Sequence, residues 1–98
     1  MNVTMNRDGN HLTVALEGRL DTLTAPGLEK KLEPALDGVE KLVMDFEKLE
    51  YISSAGLRVL LTAMQIMEDQ GEMTVKNVCP EVMDVFEVTG FIDDLTIE

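Results

Sequence analysis

Two adjacent hydroxyls, Ser53 and Ser54, lie in the stretch YISSAGLRVLLTAM (51–64), between an apolar run and a strongly apolar helical pattern. Three kinds of chemistry could use a serine there. A nucleophile needs a base, and the only histidine, His11, begins a predicted strand; no Gly-x-Ser-x-Gly elbow surrounds either hydroxyl. A helix cap needs only an oxygen that accepts a first-turn amide, worth about 1 kcal/mol. A phosphate acceptor needs exposure at a loop-to-helix corner. There the free amides and the positive end of the helix dipole tolerate the added charge, about −1.5 to −2 at neutral pH. Gly56 is expected to keep that corner uncrowded. Chemistry alone favours the cap and leaves the acceptor open.

Other site chemistry has no residues to carry it. Cys79 is the only cysteine, so neither an intramolecular disulfide nor a Cys/His zinc site can form. A phosphate-binding glycine loop of the GxxxxGKS/T type is absent from the sequence. No catalytic residue, metal or cofactor is expected.

The elements that must hold the serines follow from periodicity. VTMN (3–6) and HLTVALEG (11–18) alternate at roughly period two around Arg7, Asp8, Gly9 and Asn10, which predicts a hairpin. Thr24 before Ala25 and Pro26 signals a helix start, and Leu28, Leu32, Ala35 and Leu36 continue it. Pro34 predicts a kink or an early end. LVMDF (42–46) reads as a strand, followed by a loop through Tyr51 to the serines. GEMTVKNV (71–78) is a further strand, PEVMDVFEVTG (80–90) a proline-opened, glycine-closed helix, and LTI (95–97) a last strand. The order β-β-α-β-α-β-α-β predicts a single α/β domain over residues 1–98, a mixed four- to five-stranded sheet packed with helices. The serines then mark a strand-to-helix junction.

In the helix from Ser54 to Gln70, Arg58, Thr62, Gln65 and Asp69 form one narrow polar stripe. The rest is largely apolar: Leu57, Val59, Leu60, Leu61, Ala63, Met64, Ile66 and Met67. The leucines are expected to be buried, whereas Met64 and Met67 suit either a core or an adaptable binding surface.

Charge narrows the partners. Nineteen acidic against 8 basic side chains leave a net charge of −11, which opposes direct binding to nucleic acid or membrane. Residues 59–98 carry Lys76 alone against 9 acids, a surface suited to a basic protein or simply to solubility. The amino terminus lacks a charged segment followed by an apolar run, so a cytoplasmic location is expected.

Three segments together resemble the STAS domain family, in particular the small bacterial anti-sigma factor antagonists. EGRLDTLTAPGLEKKL (17–32) looks like the family's Gly-x-Leu-Asp segment and first helix, with Gly18, Asp21 and Thr24. LVMDFEKLEYISSAGLRVLL (42–61) is similar to its most diagnostic stretch, usually written Asp-Ser-Ser/Thr-Gly-Leu, and NVCPEVMDVFEVTGF (77–91) resembles its closing segment. The resemblance implies a phosphoacceptor two places before Gly56, at Ser54. Ser53 replaces the family's usual aspartate, which makes it a competing site, and Ala55 stands where a second Ser or Thr often lies. It further implies a partner switch: the unphosphorylated domain binds an anti-sigma factor that is also a serine kinase, freeing a sigma factor. Phosphorylation dissociates the pair, and a serine phosphatase resets it. The implied partner surface comprises Asp21, Thr24, Ser53, Ser54, Ala55, Gly56, Arg58, Met64 and Met67. STAS domains also occur as small subunits of membrane transport complexes, which is the alternative function.

Overall fold

Along His11–Leu20, Leu12, Val14 and Leu16 are buried while His11 and Glu17 are exposed, the period of a strand with one face on a core. In the computed structural model, which describes residues 1–98, this strand is β2. It follows β1 (Asn2–Asp8) and precedes α1 (Ala25–Ala35), β3 (Lys41–Ile52), α2 (Ser54–Gln70), β4 (Glu72–Lys76), α3 (Pro80–Thr89), a 3-10 turn (Phe91–Asp93) and β5 (Thr96–Ile97). The predicted α/β order is present, and the sheet has five strands in chain order. β1 is antiparallel to β2, and every later pairing is parallel. Each parallel crossover carries one helix.

Register makes the core. Leu12, Leu42 and Met73 lie side by side across three strands, as do Val14, Met44 and Val75, and all six are buried on one apolar face. Against them pack Leu28 and Leu32 of α1, Leu60, Ala63 and Met67 of α2, and Val82 and Phe86 of α3, within a single cluster of 24 residues. Phe86 meets Phe46 of β3 with ring centroids 6.4 Å apart. No helix is long and apolar enough to cross a membrane.

One expectation changes in detail. The loop expected through Tyr51 is strand: β3 continues to Ile52, pairing Tyr51 with Arg19 and Ile52 with Leu20. The register shifts between Ala15 and Glu17 and again between Gly18 and Arg19, each time placing an extra residue on β3. Such bulges break the two-residue alternation by which a strand is read from sequence. The early end expected from Pro34 is present. The helix ends at Ala35, and the Leu36 amide is shared between the carbonyls of Leu32 and Glu33 at 3.1 and 3.3 Å. Arg7 of β1 closes that end by donating to Asp37 O at 3.0 Å, a cation at the negative pole of the helix.

The far end of α2 fits closely against the α1–β3 connection. The Gln70 side-chain amide donates to Val39 O at 2.7 Å and to Leu36 O at 2.8 Å. Next to it, a Cβ on Gly71 would overlap the backbone carbonyl of Glu40. That carbonyl accepts the Glu72 amide at 3.0 Å.

Candidate functional site

The serine corner is built where β2 and β3 end together. Leu20 and Ile52 are partners in register, and the next amide, that of Ser53, donates to Leu20 O at 2.9 Å. The β2–α1 loop and the start of α2 therefore leave the sheet side by side, at the carboxyl ends of parallel strands, where α/β sheets usually place their sites.

The two serines take different positions. Ser53 is extended (φ −100°, ψ 176°) and caps α2: its Oγ accepts the Gly56 amide at 3.4 Å and its carbonyl accepts the Leu57 amide at 2.9 Å. Ser54 is the first helical residue, exposed, and takes no part in the cap. The amides of Ser54 and Ala55 precede the first i→i−4 bond of the helix. Arg58, one turn along, is exposed and Ala55 half-buried.

Gly56 requires a correction. It is buried and does not keep the serines uncrowded; a Cβ there would lie 2.7 Å from Leu20 Cγ and 2.8 Å from Ile52 Cγ1. The residue lets the first turn of α2 close onto the two strand ends, so it positions the corner without presenting surface to a partner. Met67 is the second correction. It is 1% exposed, in the core with Leu60 and Ala63, whereas Met64 is half-buried. Seven residues along a helix return to within about 20° of the same direction, so Met67 shares the phase of Leu60.

Asp21 and Thr24 are brought together, but chiefly with each other. Asp21 Oδ1 accepts the amides of Leu23 at 3.0 Å and Thr24 at 3.1 Å, while Thr24 Oγ1 accepts the Asp21 amide at 2.9 Å and donates to Arg19 O at 2.8 Å. Their hydrogen bonds shape the loop, which is a reason for these residue types independent of any partner. The Thr24 amide first, against the opposing effect of burial, and then the Leu23 amide, with Arg19 nearby, hold the Asp21 carboxyl below its ordinary range. Asp45 on β3 is lowered likewise, first by the Asn77 side-chain amide at 3.0 Å, then by the Glu47 amide at 3.1 Å, with Lys76 adding to them.

A carboxyl whose folded pKa is depressed stabilises the fold above its unfolded value, and that contribution is lost as pH falls through the folded pKa. The thermal midpoint should therefore be flat near neutrality and fall below about pH 4. Asp45→Asn should start lower at pH 7 and lose less on acidification. Parallel curves of midpoint against pH for the two proteins would show that Asp45 contributes nothing of the kind.

A hydrolytic serine is excluded by distance as well as by sequence. His11 opens β2, and the serines lie beyond its far end, about 30 Å away for ten extended residues. No group of three or more His, Cys, Asp or Glu side chains is placed to hold a metal ion.

Sequence reasoning missed three neighbours of the corner. Leu23, between two threonines in the loop, is 90% exposed, and Tyr51 is 37% exposed with the Arg19 guanidinium 4.4 Å from its ring centroid. Periodicity carries no signal for the exposure of a loop residue, and Tyr51 was hidden by the bulged end of β3.

Comparison with known proteins places this arrangement. BtrV of Bordetella bronchiseptica, a candidate anti-sigma factor antagonist by name, is 40% identical over 94 residues, covering 94% of this chain and 81% of its own. The anti-sigma-B factor antagonist of Bacillus subtilis is 26% identical over 98 residues, covering 99% of this chain and 90% of its own. The fold matches the Bacillus anti-sigma factor antagonist SpoIIAA, in its unphosphorylated form with a TM-score of 0.78 at 20% identity (99% of this chain, 87% of that one). Its phosphorylated form gives 0.77 at 21% identity (99% and 91%). By their names these relatives are regulatory binding proteins rather than enzymes. With the STAS domain model matching residues 2–98 and the sheet, helices and serine corner in the order described, the chain belongs to the STAS domain family.

Proposed function

We propose that this domain is an anti-sigma factor antagonist whose binding is switched by phosphorylation of Ser54. One observation carries the switch: Ser54 is exposed at the first residue of α2 while its neighbour Ser53 supplies the cap. A phosphate on Ser54 adds charge at a point that the fold does not use for its own bonds, beside first-turn amides that favour an anion. The partner is an anti-sigma factor with serine kinase activity, held while Ser54 is free, and a serine phosphatase restores binding. Ala55, Arg58 and Met64 border the contact, while Gly56, Asp21 and Thr24 hold it in shape. The antagonist names of the relatives support this reading, and no observation on the chain favours the transport-complex alternative.

Incubation with the cognate kinase and ATP should give a single phosphate that mass spectrometry maps to Ser54, and Ser54→Ala should abolish it. Undiminished labelling of that variant would move the acceptor to Ser53. A phosphate there would displace the cap, at a cost of about 1 kcal/mol of helix stability that the Ser54 phosphate does not incur.

A further inference from the structure

Four large apolar side chains are left exposed: Met1, Leu23, Tyr51 and Val88. A scattered exposed leucine ordinarily needs no explanation. Leu23 differs in how it is held and where. It is 90% exposed, the most of the four, yet its amide is bound to Asp21 Oδ1 at 3.0 Å and the next amide to the same oxygen at 3.1 Å. The Thr24 hydroxyl fastens the far side of the turn to Arg19 O at 2.8 Å. The backbone therefore cannot turn Leu23 inward without giving up these bonds. The bond from the Ser53 amide to Leu20 O at 2.9 Å ties this loop to the serine corner, and the stacked Arg19–Tyr51 pair occupies the adjoining rung of the sheet.

We infer that Leu23 is an apolar anchor of the complex, entering an apolar recess of the anti-sigma factor beside the surface that meets Ser54; this rests on the binding reading above. The turn is ordered before contact, so docking loses little further conformational freedom. Removing one exposed leucine from water strengthens association about ten- to hundredfold. Arg and Tyr, the residues beside it, are enriched among those that dominate interface affinity. The net charge of −11 brings a basic partner into the vicinity, but screened long-range charge does not fix the register of docking. A rigid apolar peg next to the modified serine does.

Titration calorimetry of the purified domain against the anti-sigma factor tests this with three variants. Leu23→Ala should weaken binding about tenfold or more, with an unchanged thermal midpoint because the side chain packs against little of its own fold. Leu23→Met, which keeps apolar volume, should stay within about threefold of wild type. Val88→Ala removes an equally exposed side chain near the carboxyl end of α3, which runs away from the corner, and should bind as wild type does. Wild-type affinity in Leu23→Ala, or an equal loss in Val88→Ala, would overturn the inference while leaving the antagonist reading standing. So would sedimentation showing that Leu23→Ala dissolves a homodimer with no change in partner affinity, since the recess would then belong to a second copy. If the wild-type domain forms no complex at all, the antagonist reading fails and the anchor fails with it.

Discussion

Ser54→Asp should fold as the wild type does and bind the anti-sigma factor about a hundredfold more weakly or worse. The two halves of that expectation have separate causes. An acid at the first residue of α2 meets the positive end of the helix, favourable by about 0.3 to 1 kcal/mol, and the Ser53 cap is untouched. In a closed interface the same carboxylate must be stripped of water without a prepared cation, and an unpaired buried charge costs several kcal/mol. Thermal unfolding and calorimetric titration of the one variant measure both. Wild-type affinity would refute an electrostatic switch at this position. A collapsed midpoint would show that the first turn of α2 bears more of the fold than its exposed side chain implies.

The largest effect on stability is expected far from that corner, at Gly71. Its φ of 167° is extended and open to any residue, so the requirement is space alone. A methyl there would overlap the Glu40 carbonyl, which belongs to the backbone and is itself bonded to the Glu72 amide. Nothing flexible can yield. The Gln70 side chain, held by Leu36 and Val39, fixes the same connection from the other side. Gly71→Ala should therefore cost about 3 kcal/mol or more, at the upper end for overpacking in a well-ordered site. For a domain whose total stability is of the order of 5 to 15 kcal/mol, that lowers the thermal midpoint by roughly 10 °C or more. Denaturant unfolding checks it, and a loss below about 1 kcal/mol would mean that α2 and the α1–β3 connection can slide apart cheaply.

Much of this protein was legible in its amino-acid order, and for local reasons. Alternation along β2, the Thr24–Pro26 start of α1 and the Pro80–Gly90 limits of α3 depend on backbone geometry within a few residues, so the sequence carries them directly. The pairing of a hydroxyl cap with the start of α2 is equally local. What the order of residues could not decide were the quantities set by distant segments. Met64 and Met67 are alike in chemistry, and only the rotation of α2 against the sheet buried one of them. Gly56 and Gly71 look like ordinary helix-flanking glycines, yet each is required by a neighbour remote in sequence, Leu20 in one case and Glu40 in the other. Asp21 and Thr24 were evident as a motif, but their mutual hydrogen bonding turned Leu23 outward, and no periodicity describes a loop. The bulges that carried Tyr51 into β3 exist only relative to β2. Secondary structure and the hydroxyl cap of α2 were set by short-range propensity; exposure, close approach and the composition of the serine corner were set by packing between elements that the sequence keeps apart.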